Sequence, residues 1–308
     1  MLDVETSHEM FHALVGRLSE QSVRKHFDAY VDVAWDDHVI DPGDSRWELR
    51  GEDPLAATGW YRSLPPEERA RLGLWSTVTK MKTGLQFENV LCRGLLEFVD
   101  TLPNGAPEYR YGMHELIEEG QHQLMFQEFV NRSGIDAGGM PLDARIGTRF
   151  VVLLGRVFPE LFFMFVLGGE DPIDHVQREA LRSGQPHPLL ERIMRIHVTE
   201  EARHLSFARH YLKDRVPRLS RTRRALLAVG TPLILGEMGA MMLQPSRQLV
   251  REFAIPDAVL RKAYTENPIH QERAATALRK VRQLCTELGL TDGAARRLWK
   301  SRNIWSVD

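Results

Sequence analysis

The stretch HVTEEARHLSF, residues 197–207, decides the fold because it places three unusual side chains on one helical face. Residues spaced four and then three apart lie on the same side of an α-helix, so His197, Glu201 and His204 project together. Extending this face in both directions adds apolar residues, namely Leu190, Met194, Ala208 and Tyr211. The face is therefore expected to point into a core. Burying a carboxylate is costly unless it is paired, protonated or bound to a metal ion.

The stretch EEGQH, residues 118–122, repeats this spacing on a second predicted helix. Glu119 and His122 are three residues apart, as Glu201 and His204 are. A single Glu-x-x-His often arises by chance, whereas two on different helices match the dimetal site of a ferritin-like four-helix bundle. The flanking residues are again apolar and include Leu116, Met125, Phe126 and Phe129.

Such a site needs one further glutamate from each of two other helices. Glu88 lies in a largely apolar segment 31 residues before Glu119, and the same 31 residues before Glu201 lead to Glu170. Two helix pairs with equal internal spacing are therefore predicted. Glu160 is the alternative to Glu170, although its separation of 41 residues from Glu201 breaks the repeat. The residues around Glu170 also predict a helix interruption, through Gly168, Gly169, Asp171 and Pro172.

Apolar residues recur at helical spacing through most of the chain, and alternating runs rich in β-branched residues are nearly absent. We therefore predict an all-α protein, with residues 1–308 forming a single helical domain and residues 66–213 forming the dimetal-binding bundle core. Further helices should precede and follow this core. A helical region is expected at 6–40, and the crossover between the halves at 133–144. Four long helices are predicted, at 66–100, 109–133, 142–169 and 187–213.

The composition narrows the function classes. The chain has 308 residues, with 40 basic and 42 acidic side chains, so no global field favours nucleic acid or an anionic membrane. Its two cysteines cannot form a disulfide framework, and the N-terminus lacks the pattern of a secretory signal. The most apolar segments are shorter than the roughly 20 residues of a spanning helix. We expect a cytoplasmic protein with a small-molecule partner.

Mixed carboxylate and imidazole ligands suit iron, manganese or zinc, and the lack of clustered cysteines disfavours iron–sulfur or thiolate-zinc sites. Four carboxylates also offset most of the charge of two divalent ions. His197 exceeds the minimal ligand set, but its place one turn before Glu201 makes it a candidate seventh ligand. Glu118 and Glu200 each precede an expected ligand and turn about 100° away from it. Solvent exposure is the expectation for both, and hydrogen bonding to a ligand histidine is the alternative.

The full pattern, including His197-x-x-x-Glu201-x-x-His204, resembles the p-aminobenzoate N-oxygenase (AurF-type) family of non-haem diiron proteins. The resemblance implies a ferritin-like bundle, commonly homodimeric, that holds two iron ions and uses O2 to oxidise an arylamine nitrogen through hydroxylamine toward nitro. An external electron donor, such as a reductase or redoxin, is then required. By position, the resemblance assigns the iron ligands as Glu88, Glu119, His122, Glu170, His197, Glu201 and His204.

Two other functions remain open at this point. The same fold and ligands could serve a hydroxylase or oxidase that acts on carbon of another small substrate, because fold and metal do not determine the substrate. A non-catalytic metal-binding helical protein is the third possibility.

Overall fold

The computed structural model describes residues 4–51, 53–302 and 304–305, and within these parts every regular element is helical. The predicted all-α fold class is therefore confirmed. The α-helices are α1 Val4–Arg24, α2 Gly59–Ser63, α3 Pro66–Val99, α4 Pro107–Ser133, α5 Leu142–Val157, α6 Pro159–Ser183, α7 Pro188–Arg215, α8 Arg221–Leu243, α9 Arg247–Glu252, α10 Asp257–Leu260, α11 Pro268–Ala277, α12 Arg279–Glu287 and α13 Ala294–Ser301.

Four long helices, α3, α4, α6 and α7, form the ferritin-like bundle. Helix α3 packs along α4, and α6 packs along α7. The two pairs meet where α3 contacts α6 and where α4 contacts α7. A side chain at Gly169 would collide with the Phe87 ring, and one at Gly94 would collide with the Phe162 ring. Residue numbers therefore run in opposite directions along α3 and α6, so these neighbouring helices are antiparallel.

Helix α5 forms most of the crossover between the two pairs. The predicted connection at 133–144 contains the loop before α5, but the crossover continues through that helix. The backbones of Gly155 on α5 and Gly94 on α3 approach so closely that a Cβ at Gly155 would lie 1.9 Å from the Gly94 carbonyl oxygen. Only glycine permits this contact. It holds α5 against the outer side of α3 and brings the chain to the start of α6.

The predicted helix at 142–169 is wrong, because the chain breaks at Phe158 and Pro159 instead of near Glu170. Phe158 has φ −150° and ψ 67°, and Pro159 begins α6. Pro172 lies inside α6, and the expected interruption there does not occur. The glycines of this segment serve helix packing: a side chain at Gly168 would meet Leu235 of α8 at 2.2 Å.

The predicted helical region at 6–40 is also too long, since α1 ends at Arg24. The Asp28 carboxylate accepts hydrogen bonds from the backbone N–H groups of Tyr30 and Val31, at 2.8 and 3.1 Å. Aspartate side chains that bond to nearby backbone in this way offer an alternative to helical hydrogen bonding. The segment therefore continues as a loop, with a short 3₁₀ turn at Trp35–Asp37.

The C-terminal helices cover the α6 side of the bundle. Leu235 and Met238 of α8 and Val281 and Leu284 of α12 belong to the same buried cluster as the bundle core. Among the described residues, one stretch, Arg221–Glu252, which spans α8 and α9, is long and apolar enough by composition to cross a membrane. A single stretch of this kind is weak evidence for a membrane span, because core helices share the same composition.

Candidate metal centre

All seven residues expected as ligands lie in the middle of the four bundle helices. Each of them is 0% exposed. Helix α3 carries one, α4 two, α6 one and α7 three, and they are Glu88, Glu119, His122, Glu170, His197, Glu201 and His204. Continuous helix on both sides fixes the direction of each side chain. The sequence repeat therefore corresponds to a convergence of these groups in space.

Six of the seven groups form two overlapping clusters with the dimensions of a cation site, and Glu170 belongs to neither cluster. In one, Glu88, His122, His197 and Glu201 each offer an atom within 4.8 Å of the others. In the second, Glu119, Glu201 and His204 do the same. The Glu201 carboxylate belongs to both clusters, which is the position of a group that could bridge two ions.

Matching contacts on α4 and α7 give this centre an approximate two-fold arrangement. The Nδ1 atom of His122 lies 3.1 Å from Glu119, and that of His204 lies 3.1 Å from Glu201. Across the bundle, His204 Nδ1 is 2.9 Å from Glu119, and His122 Nδ1 is 3.5 Å from Glu201. Both Nδ1 atoms therefore face the inner carboxylates.

Glu118 and Glu200 are not exposed, which corrects the expectation from the sequence. They are 2% and 0% exposed. Each carboxylate accepts from the outer nitrogen of the histidine on the opposite helix: His122 Nε2 lies 2.9 Å from Glu200, and His204 Nε2 lies 2.7 Å from Glu118. A proton fixed on Nε2 leaves the Nδ1 lone pair directed into the centre.

Arg203 is the buried cation between these outer glutamates, and the search for ligand motifs missed it. Its guanidinium lies 2.8 Å from Glu118 and 3.6 Å from Glu200. A groove of about 460 Å³ between α1 and α7, lined in part by Leu14, Leu18 and Arg203, opens on its other side. The sequence does contain a pattern that could have predicted this ion pair. Arg203 is three residues after Glu200 and therefore lies on the same side of the helix.

Burial and mutual repulsion shift the pKa values of the inner carboxyl groups strongly. Burial raises the pKa of Glu88 well above its usual range, and the charge of Glu119 adds to this effect. Burial and the charge of Glu201 raise the pKa of Glu170 in the same direction. Burial also acts to raise the pKa of Glu119, but its interaction with Glu88 and the charge of His204 outweigh it and hold that pKa well below its usual range.

The histidines divide into two types. Burial acts to lower the pKa of His122, but its bonds to Glu119 and Glu200 raise this pKa to about 10. Burial and the charge of His122 lower the pKa of His197 well below its usual value, so His197 is neutral. Metal ions bind the neutral imidazole, so a cation in the centre would take the place of the proton on His122 Nδ1, whereas His197 is already suited to bind one.

Several polar atoms in the centre have no hydrogen-bond partner among the described residues. They are Glu88 Oε2, both carboxylate oxygens of Glu170, Glu201 Oε2 and His197 Nδ1. Buried polar groups normally find a partner, so a cluster of unpaired acceptors fits bound cations. The oxygen-rich donor set with imidazole nitrogens suits iron or manganese.

The structure separates Glu170 from its rival Glu160. Glu170 is near enough to Glu201 and Glu119 for their charges to shift its pKa. Glu160 lies in the first turn of α6, where its carboxylate is 3.2 Å from Arg223. That ion pair gives Glu160 a structural partner outside the centre.

Comparison with known families agrees with this geometry. The family model described as p-aminobenzoate N-oxygenase AurF matches residues 9–289. The chain belongs to the AurF family. The family resemblance, first drawn from the pattern of expected ligands, therefore extends over nearly the whole chain. AurF proteins form a diiron N-oxygenase family with a ferritin-like helical fold.

The AurF-family chain also has similar relatives in mycobacteria. An uncharacterized protein of Mycobacterium tuberculosis is 39% identical over 290 residues, covering 93% of this chain and 85% of the relative. An uncharacterized protein of Mycobacterium bovis has the same identity and coverage. No solved structure matches the chain significantly.

Proposed function

We propose that this AurF-family protein is a diiron oxygenase that uses O2 to oxidise the amine nitrogen of a small molecule, converting an arylamine to the hydroxylamine or nitro compound. The observation that carries the proposal is the closed cluster of four carboxylates and three imidazoles with unpaired acceptor atoms inside an AurF-type bundle. Without cations, so many like charges in one buried space would repel each other.

In this proposal Glu88, His122 and His197 face one iron position, and Glu170 and His204 face the other. Glu201 belongs to both clusters and could contact both irons, and Glu119 lies beside His204 in the second cluster. When bound, the two irons supply the redox chemistry that activates O2. The protein supplies positioning, electrostatics and exclusion of water.

The residues of the outer layer have defined tasks in this scheme. Glu118 and Glu200 hold a proton on the Nε2 atoms of His204 and His122, which orients both rings. Arg203 compensates the charge of both outer carboxylates. The ring of Phe126 packs against the His197 ring and keeps water from this side of the centre.

The remaining parts of the proposal follow from this chemistry. The partners are a small-molecule amine and an external electron donor of the reductase or redoxin type, and the protein acts as a cytoplasmic homodimer. A diiron hydroxylase or oxidase that acts on carbon is the main alternative. A non-catalytic metal-binding protein is the other.

Metal analysis followed by a single turnover tests the proposal. We expect about two irons per chain after anaerobic loading with Fe(II). The reduced protein should consume O2 and convert p-aminobenzoate, or another member of an arylamine panel, to an N-oxidised product identified by mass spectrometry. Products hydroxylated only on carbon would establish the alternative chemistry, and absence of bound iron would overturn the proposal.

A matched pair of variants tests the assignment on α6. Glu170→Ala should lose one of the two irons, because it removes a carboxylate from the centre. Glu160→Ala should keep both, since its partner is Arg223. Iron content is read by a colorimetric assay, with circular dichroism to confirm folding. The reverse pattern would transfer the ligand role to Glu160.

A further inference from the structure

Glu115 is a buried carboxylate of α4 that has no task in the function proposed above. It is 1% exposed, and its Oε2 atom has no hydrogen-bond partner among the described residues. It lies one turn before Glu119 on the same side of the helix. Tyr111, a further turn away and 0% exposed, separates it from solvent at that end.

A constant offset of 82 residues relates the two halves of the centre. It connects Glu88 with Glu170, Glu118 with Glu200, Glu119 with Glu201, and His122 with His204. The matching distances on α4 and α7 show that three of these pairs, those of Glu118, Glu119 and His122, are also equivalent in space. The same offset connects Glu115 with His197, and this is the one pair of the five whose residue types differ.

This inference rests on the proposed dimetal function. We infer that Glu115 is an eighth ligand, which binds the second cation from the position equivalent to that of His197 at the first cation. His197 Nε2 lies 3.3 Å from Glu88 and 3.8 Å from Glu201. The 82-residue offset predicts Glu170 and Glu119 as the neighbours of Glu115, and the charges of His204 and Glu119 do reach Glu115. Both oxygens of Glu170 lack a partner, which leaves room for a shared cation on this side.

The substitution of carboxylate for imidazole makes the two cation positions chemically different. The first has two imidazoles, from His122 and His197, whereas the second has one, from His204, together with the additional carboxylate. Carboxylate oxygens favour harder cations, and an extra negative charge favours the more highly charged state. The second position should therefore be the more oxygen-rich of the two and should favour the higher oxidation state of its cation.

The ligand role of Glu115 is tested by Mn(II) binding, which is measured by equilibrium dialysis and electron paramagnetic resonance. Glu115→Leu should weaken one of two sites by roughly a hundredfold or more, on the scale of a lost metal ligand or its supporting group. Glu115→His should retain two sites, because it recreates the residue found at the equivalent position 197. Glu108→Gln is the matched control, since Glu108 is equally buried on α4 but pairs with Arg215.

The outcomes separate this inference from the proposed function. Two unchanged sites in Glu115→Leu would overturn the role of Glu115 and leave the dimetal centre intact. A wild-type protein that binds no pair of cations would overturn the proposed function itself. Equal loss in Glu115→Leu and Glu108→Gln would show a general packing effect and would also overturn the ligand role.

A second and independent inference concerns the outer face of α5. Five apolar side chains, each at least 50% exposed, lie within an arc of about 80° on this helix. We call them the α5 stripe: Leu142, Ile146, Phe150, Leu153 and Val157. The stripe is about 22 Å long at 1.5 Å per residue. A contiguous exposed apolar surface of this kind marks an interaction site.

The spacing of the α5 stripe indicates that its partner is a second copy of the chain. The stripe is nearly symmetric about Phe150, with apolar residues four and eight positions before it and three and seven positions after it. A two-fold axis there would place Leu142 against Val157 of the second copy, and Ile146 against Leu153. An interface between identical subunits needs this self-complementarity.

Charges beside the stripe fit the same arrangement. Arg156 is paired with Glu97 and Asp100, a group with one excess negative charge. In the antiparallel pair, exposed Arg145 of the second copy lies near this group. Helix α8 extends the apolar surface, because Arg223 bonds to the carbonyl of Val157 and the following turns expose Leu226 and Val229. The added area is needed, since a stable dimer buries about 800 Å² per partner.

We propose that the α5 stripe is the homodimer interface, and Phe150→Asp tests it. Analytical ultracentrifugation should show the wild type as a dimer. The variant should raise the dimer dissociation constant roughly a thousandfold, because a central aromatic contact is lost in both copies. Ile269→Asp is the matched control, since Ile269 is 74% exposed on α11, outside the stripe.

A wild-type monomer, or a dimer unaffected by Phe150→Asp, would overturn the interface. Wild-type protein that instead sediments with anionic phosphatidylglycerol vesicles through Phe150 would identify a membrane surface as the partner and reject the dimer. The measurement requires no metal ion, so it is independent of the proposed oxygenase activity.

Discussion

Individual side chains in the centre are held by partners on the opposite helix. Glu200 of α7 orients His122 of α4, and Glu118 of α4 orients His204 of α7. Helical geometry predicted that both glutamates turn away from the expected ligands on their own helix. It did not predict that each of them contacts a histidine of the opposite helix. That depends on the distance between α4 and α7, which no local pattern in the sequence contains.

Replacing either outer glutamate should weaken metal binding. We expect Glu118→Gln and Glu200→Gln each to reduce cation affinity about 10- to 100-fold, because the histidine loses the charged acceptor that fixes its ring and tautomer. Competition with a chelating dye measures the affinity. Glu191→Gln is the control, since Glu191 is on α7 but pairs with Arg195 at the surface. Equal affinities in all three variants would remove this role.

Helix boundaries show where local patterns succeed and fail. The bounds of α3, α4 and α7 were predicted to within two residues, because their apolar periodicity is long and proline marks each start. The break between α5 and α6 was misplaced because Gly168, Gly169 and Pro172 have the composition of a helix end. The two glycines instead allow α6 to pack closely against α3 and α8. Such packing depends on tertiary structure and cannot be read from local sequence.

The contact between α5 and α3 can be tested with two glycines of α5. Gly155→Ala should destabilise the fold by about 1–3 kcal/mol, the usual cost of overpacking, because the added Cβ meets the Gly94 backbone. Gly147→Ala should be neutral or stabilising by up to about 1 kcal/mol, since nothing lies within 4 Å of its added Cβ. Urea unfolding followed by circular dichroism gives both values. Equal effects would contradict the close contact.

The centre links all four helices of the bundle, so cation binding and folding should be coupled at the scale of the whole molecule. The sequence predicted this convergence well, because the ligand pattern repeats with one spacing. The ligand motifs did not predict Glu115, although the 82-residue offset to His197 is present in the sequence, because its burial without a partner is visible only in the structure.

Metal removal should therefore lower the thermal stability. A cation present at a thousand times its dissociation constant stabilises the native state by about 4 kcal/mol. For a protein of this size we expect the melting temperature to fall by roughly 6 °C for each such cation on treatment with a chelator. Calorimetry measures the change. A variant with both Glu119→Ala and His204→Ala should show no such difference, and an unchanged wild-type melting temperature would contradict the coupling.

The expected ligands all lie more than two helical turns from the nearest end of their helix, as the bounds of α3, α4, α6 and α7 require. Fraying at helix ends, the least costly opening of a folded chain, therefore does not reach them. A bound ion can escape only when two long helices separate along their middle. Exchange with free metal in solution should thus be far slower than affinity alone implies, and the ligand-bearing turns should be among the last to take up deuterium.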